Sequence, residues 1–255
     1  EHTKFANRLA SHMMTGHSPS NTDTDFLTFR NLFDRLRAKH GQDSAEELLQ
    51  STSKMLASTL EEIDGRYIAN PSVNGVAFGS IQSGKSTSMT GLTSAYVDAG
   101  GKVVVLLAGL TDDLRNQTQS RFEKDLLHDN PRLFSPTTIS DLSTYRPGND
   151  KSENLWYQTR ANCLRHLRGE GNALVIITKK NKDTLAATHT LLDYLKQHHL
   201  LGDQPILVMD DECDYASLNT RSELFDGITN LNASRIHELT VGIRTGFPVV
   251  FWGFT

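Results

Sequence analysis

The chain has 255 residues, 37 % of them hydrophobic and 22 % charged, with 7 prolines, 18 glycines and a formal net charge of −4. These values describe a globular chain with enough length for one large domain or a domain plus an extension, and they exclude a disordered, fibrous or strongly basic nucleic-acid-coating protein. No apolar run approaches the roughly 20 residues of a membrane helix, so no membrane partner is expected. Two cysteines, Cys163 and Cys213, form no C-x-x-C pair, which points to a reducing, cytoplasmic compartment.

The chain opens on Glu1-His2-Thr3-Lys4, without an initiator methionine or a signal pattern, and reads as part of a longer protein. Phe26, Phe29, Phe33 and Leu36 form a helical stripe closed by Gly41. Ser44 with Glu47 has the capping-box spacing, and Leu49, Leu56, Leu60 and Ile63 carry a second stripe to Gly65. Residues 1–70 are therefore expected to be a helical extension, ended by Asn70-Pro71-Ser72.

Beyond it, apolar runs alternate with helical stretches. The runs are Val76–Phe78, Val103–Leu107, Leu174–Ile177, Ile206–Met209 and Val249–Trp252. Their unbroken apolarity predicts strands buried on both faces, as in a parallel sheet. Helices are predicted at Lys85–Asp98, Asp112–Leu127, Asn154–Leu167, Thr184–His199 and Ser234–Arg244, with a minor strand near Thr137–Leu142 in the proline-bearing connection at 129–152. The expected class is α/β, a doubly wound, mainly parallel sheet over residues 71–255. Charge is uneven: residues 1–70 sum to −2, residues 102–182 to +4 and residues 183–255 to −6.

Gly79-Ser80-Ile81-Gln82-Ser83-Gly84-Lys85-Ser86 fits G-x-x-x-x-G-K-[ST] between a predicted strand and a predicted helix. Such a loop turns successive N–H groups and a helix N-terminus toward the phosphates of a nucleotide. Gly79, Ser80, Gln82, Ser83, Gly84, Lys85, Ser86 and Thr87 are thus the candidate ATP contacts. Lys85 would bridge β- and γ-phosphate oxygens, and the Ser86 hydroxyl would ligate Mg²⁺.

Asp210-Asp211-Glu212-Cys213-Asp214 ends a predicted strand with four acids in five positions, a repulsive arrangement unless a cation or hydrogen-bond donors offset it. Asp211 is the candidate for holding Mg²⁺ through water, and Glu212 for activating the attacking water. The paired His198-His199, with His189 on the same predicted helix, reads as helix-terminal side chains rather than a metal site.

The motif order resembles superfamily-two helicases: the P-loop, then Leu107–Thr111 with Leu114, Arg115, Gln117, Thr118, Gln119 and Arg121, then Val175–Lys179, then Asp211–Asp214. The segments Gln82–Ser86, Leu114–Phe122 and Asp210–Thr220 resemble more closely the Z-one domain family, helicase-like ATPases of prokaryotic restriction or phage-defence loci that are often labelled endonucleases. That resemblance covers residues 71–255 and implies a P-loop NTPase, RecA-like first lobe cut at motif III, where Phe251–Thr255 lies. It implies backbone contacts to nucleic acid, DNA rather than RNA, from Thr111, Arg115, Gln119, Arg121, Thr178 and Lys179. It also implies a second RecA-like lobe and nuclease or other defence subunits as partners, and an isolated lobe with little activity of its own. Neither a P-D…[DE]-x-K constellation nor an H-N-H run lies within the chain. Two other functions fit the P-loop: an ATP-gated module of an endonuclease complex without translocation, and a small-molecule P-loop NTPase or kinase.

Overall fold

A computed structural model describes residues 27–65, 72–77, 84–136, 150–201, 205–213 and 231–254. In chain order these form helices α1 (Leu27–His40) and α2 (Gln42–Gly65), strand β1 (Ser72–Ala77), helix α3 (Lys85–Asp98) and strand β2 (Val103–Leu107). Helix α4 (Asp112–Phe122) runs on as a π-helical turn, Glu123–Leu127. Strand β3 (Leu133–Phe134), helix α5 (Asp150–Leu167), strand β4 (Ala173–Thr178), helix α6 (Lys182–Gln197), strand β5 (Ile206–Asp211), helix α7 (Leu231–Gly246) and strand β6 (Val249–Phe254) follow. The expected minor strand at 137–142 lies outside the described residues.

The strands form one sheet in the order β1-β6-β5-β2-β4-β3, and every pairing is parallel. The chain is therefore α/β, with helices on both faces of the sheet. It moves outward from β1 to β2 and β3, then returns through β4, β5 and β6. Parallel crossovers are right-handed, so reversing the direction of travel moves the connecting helices to the opposite face.

The cores follow that reversal. On β2 and its continuation, Val104, Leu106 and Ala108 join Met89, Leu92, Ala95 and Val97 of α3, with Phe122 and Leu126, in one core. Val103, Val105 and Leu107 join Trp156, Cys163 and Leu167 of α5, Leu191, Leu192 and Leu195 of α6, and Ile243 of α7 in the other. Period-two alternation also divides β4, β5 and β6 between the two cores, which is why these strands read as continuous apolar runs.

Helices α1 and α2 extend the first core into a further layer through Phe29, Phe33, Ala45 and Met55. Gly91 of α3 is what lets α2 close: a Cβ built there would lie 2.4 Å from Thr52 Oγ1 and 2.8 Å from Leu48 Cδ1. Helix α3 is buried along most of its length despite its hydroxyls. Within the helix, Thr93 Oγ1 donates to Met89 O at 2.8 Å and Ser94 Oγ to Thr90 O at 2.7 Å, and the Tyr96 hydroxyl donates to Pro205 O.

Several elements differ from the sequence reading: β1 starts at Ser72 rather than Val76, α5 at Asp150 rather than Asn154, and α7 at Leu231 rather than Ser234. Helix α2 starts at Gln42 rather than at Ser44: Gly41, at φ 89°, ends α1, and Gln42 Nε2 donates to Glu46 Oε1 at 2.6 Å one turn on. The capping-box spacing is present in sequence, but Ser44 lies inside the helix. Strand β3 has only two residues, too few for a period to register. The stretch expected as a single helix at Asp112–Leu127 changes to π-helical hydrogen bonding after Phe122.

The final residue of α3 ties down the N-terminus of α1. Asp98 accepts from Phe29 N at 2.8 Å and from Thr28 N at 3.2 Å, and Arg132 Nη1 lies 3.7 Å from its Oδ1. Burial pushes the Asp98 carboxyl above its ordinary value, against the pull of those amides and of Arg132. The folded chain thus holds a proton at Asp98 more tightly than the unfolded chain. That contribution to stability is complete below the ordinary carboxylate pKa of about 4 and is lost as pH rises through the raised value. Asp98→Ala is expected to cost roughly 1–3 kcal/mol near pH 4, because two buried amides lose their acceptor, and the difference narrows toward pH 7. Urea unfolding of both proteins across that range checks this; a gap that widens with pH would contradict the assignment.

Candidate functional site

All six strands are parallel, so their carboxyl ends share one edge of the sheet, where open α/β sheets bind ligands. Register sets the residues there in rows. Ala77 of β1 pairs Phe254 of β6, which pairs Asp211 of β5, and one row below, Asp210 pairs both Gly253 and Leu107. Of the candidate nucleotide loop, Gly79, Ser80, Gln82 and Ser83 lie outside the described residues. Gly84, Lys85, Ser86 and Thr87 open α3 at this same edge. Gly84 takes the N-cap position at φ 76° and ψ 18°, the left-handed region that disfavours residues with a Cβ.

Alternation sends the neighbouring acids to opposite faces. Asp211 continues the side of β5 that carries Leu207 and Met209, the side packed against α3. Asp210 continues the side carrying Ile206 and Val208, which faces α7. Burial pushes the Asp211 carboxyl up from its ordinary value; the Lys85 ammonium is the strongest charge pulling it down, the Glu212 carboxyl opposes that, and Lys180 adds a weaker downward pull. Lys85 at the start of α3 and Asp211 at the end of β5 thus lie at the same sheet edge, on the side of β5 that packs against α3. Asp210 is fully buried, and its charge partly restores the charged form of Arg244, whose guanidinium burial otherwise disfavours. That guanidinium stacks 4.1 Å from the Phe251 ring centroid.

Lys180 was not singled out by sequence, yet it is buried with a 0 % exposed side chain. Its ammonium donates to Asp210 Oδ1 at 2.9 Å, to Asp211 O at 2.7 Å and to Glu212 O at 2.8 Å. Strand β2 lies between β4 and β5, so this side chain crosses the end of β2 to reach these acceptors. The acidic turn beyond it is bent sharply: Glu212 has φ 56°, and Cys213 N donates to Phe254 O at 3.1 Å. Removing one partner of a buried ion pair generally costs about 3–5 kcal/mol, because the other charge is stranded.

The six residues assigned to nucleic acid lie on α4 and at the ends of β2 and β4. Thr111 caps α4, its Oγ1 accepting from Leu114 N at 3.3 Å. Thr178 is buried, and its carbonyl accepts from Ala108 N at 2.8 Å, extending the β2–β4 ladder. Lys179 donates to Asp112 Oδ1 at 2.8 Å. Gln119 is buried and donates through Nε2 to Glu123 Oε1 at 2.8 Å and to Ser135 Oγ at 3.3 Å. Arg115 is half-buried. Arg121 reaches back to the start of α3, its Nη1 donating to Ser86 Oγ at 2.9 Å. Thr111 and Lys179 thus cluster at the sheet edge through Asp112, whereas Arg121 joins the Ser86 group.

A cleft of about 660 Å³ opens beside Ser86, walled by α3, α4 and the end of α1. Lys39, His40, Arg121 and Lys124 line it with a single acid, Asp125, so its chemistry suits an anion. Two of those bases come from the extension, in which no chemical motif was legible. The described residues hold no cluster of three or more His, Cys, Asp or Glu side chains arranged for a metal. A P-loop cation, however, is held by one hydroxyl, water and phosphate oxygens, and Ser86 and Asp211 fit that smaller donor set.

Gly84→Ala is expected to lower stability by about 1 kcal/mol from backbone strain, since nothing among the described residues lies within 4 Å of the added Cβ. Calorimetry should show Tm falling by roughly 2–4 °C, with part of the loss recovered in Gly84→Asn. Compared with known proteins, the chain matches no family model and no curated protein.

Proposed function

We propose that the chain is the nucleotide-binding lobe of a nucleic-acid-dependent ATPase, with a P-loop, RecA-like fold and Mg²⁺-ATP as its ligand. The observation that carries this reading is the meeting of Lys85, Ser86 and Asp211 at one sheet edge, with the G-x-x-x-x-G-K-S segment running from β1 into α3. Phosphate oxygens would take the N–H groups at the start of α3 and the Lys85 ammonium. Mg²⁺ would supply Lewis-acid stabilisation of the phosphates, with Ser86 as ligand and Asp211 as a water-mediated one. As a metal ligand, Ser86 would no longer accept from Arg121, whose guanidinium could then face the phosphates. Glu212 accepts a proton from the attacking water.

The resemblance to the Z-one domain family supports a motor from a restriction or phage-defence system, cytoplasmic, working with a second RecA-like lobe and nuclease or other defence subunits. DNA is the preferred nucleic acid. No helix among the described residues is long and apolar enough to cross a membrane. A second reading, an ATP-gated module of an endonuclease complex that does not translocate, draws support from Arg121 and Lys179: both basic heads engage partners within the chain.

Lys85→Ala should weaken Mg²⁺-ATP binding at least tenfold, about 1.4 kcal/mol, by titration calorimetry. Glu212→Gln should keep ATP affinity and lower kcat by roughly 10²–10⁴. In the full-length protein, single-stranded or duplex DNA should raise ATP turnover, less so as salt increases. Binding of DNA without a rise in turnover selects the gated module, and indifference to all nucleic acid overturns both. Arg115→Ala should reduce the stimulation with ATP affinity unchanged, whereas Arg121→Ala should also shift the Mg²⁺ requirement.

A further inference from the structure

We infer that Lys180 is a positioning residue for the acidic turn, its buried ammonium fixing the path of the backbone from which the Glu212 carboxyl projects. The inference rests on the hydrolytic reading of that turn for its catalytic consequence, and on geometry alone for the positioning itself. Three donors of one ammonium meet three acceptors: a carboxylate oxygen of Asp210 and the consecutive carbonyls of Asp211 and Glu212, all within 2.9 Å. Two of those acceptors belong to the backbone of the turn. Neutralising Asp210 alone would need only one of them.

The turn needs such a constraint. Glu212 is in the left-handed region at φ 56°, which L-residues with long side chains leave unless surrounding contacts hold them. Cys213 N bonds Phe254 O on the β6 side, and Lys180 grips the carbonyls on the other.

Lys180 is itself immobilised. Its N–H donates to Gly109 O at 2.8 Å, Thr184 Oγ1 donates to the carbonyl of Lys179 at 2.8 Å, and Asn181 caps α6 by accepting from Asp183 N at 2.9 Å. An arginine would not serve equally well, since a planar guanidinium fork cannot direct three donors at a compact triad of acceptors as a tetrahedral ammonium does.

The experiment separates charge compensation from positioning. Lys180→Met removes the ammonium that Asp210 accepts from, leaving Arg244 as a counter-charge to that buried carboxylate, and is expected to destabilise the chain. The double variant Lys180→Met/Asp210→Asn removes both charges and leaves the carbonyls of Asp211 and Glu212 without their donor. In the full chain, the double variant should regain part of the stability lost by Lys180→Met, the remainder reflecting Arg244, which no longer faces the Asp210 charge. Its Kd for Mg²⁺-ATP should stay within about twofold of the parent, while kcat falls at least tenfold. Hydrogen exchange at the Cys213 amide should accelerate at least tenfold in the double variant. Parent-like exchange and kcat in the double variant would overturn the inference, reducing Lys180 to a counter-ion. If the parent hydrolyses no ATP under any condition, the hydrolytic reading fails, and the exchange rate at Cys213 alone decides whether Lys180 positions the turn.

Discussion

Parallel pairing is the constraint from which the rest of this structure follows. It places every carboxyl strand end on one edge, so the last residues of β1, β2, β4, β5 and β6 share that edge although they are spread over some 180 positions of sequence. Antiparallel pairing would divide those segments between two edges. Parallel strands also need crossover helices, and these bury both faces of the sheet. Polar and charged side chains, among them Thr178, Lys180, Asp210 and Asp211, gather where the strands end.

That gathering has a cost, visible at β5. Two adjacent carboxylates emerge from a strand whose other residues are fully buried, and alternation separates them rather than letting them repel. Asp211 is turned to the α3 side, where Lys85 attracts it, and Asp210 to the α7 side, where Lys180 and Arg244 do. Each charge meets an opposite charge on its own face. The molecule thus resolves a local electrostatic problem by means of the strand's pleat.

The parts of this arrangement that sequence made legible are those with a local period or a local motif. Val103–Leu107 and Lys85–Asp98 are bounded in the structure as the pattern bounds them, because an apolar strand between turns and a helix opened by Gly84 are decided by neighbours in the chain. The division between Asp210 and Asp211 was implicit in the alternation of Ile206–Met209. Lys180 was not legible: its partners sit 30 positions or more away on a strand that β4 does not even touch, and in sequence it looks like half of a surface lysine pair. Lys39 and His40 were illegible for the same reason, since only the packing of α1 against α3 brings them beside Ser86. Strand β3, with two residues, is made by its pairing to β4 rather than by any propensity of its own.

Helix α3 has a different task at each end. Its first turn carries Lys85 and Ser86, and its last residue, Asp98, holds the amides of Thr28 and Phe29 some 20 Å away along a rigid rod. Between the two ends, Gly91 admits α2 to within contact of the helix backbone. Any tilt of α3 that accommodates a ligand at its start must therefore be shared by α1 and α2, and the same coupling runs in reverse. The two helices are mechanically a lever on α3, so a force or a binding partner acting on them acts on Lys85 and Ser86 at its start as well.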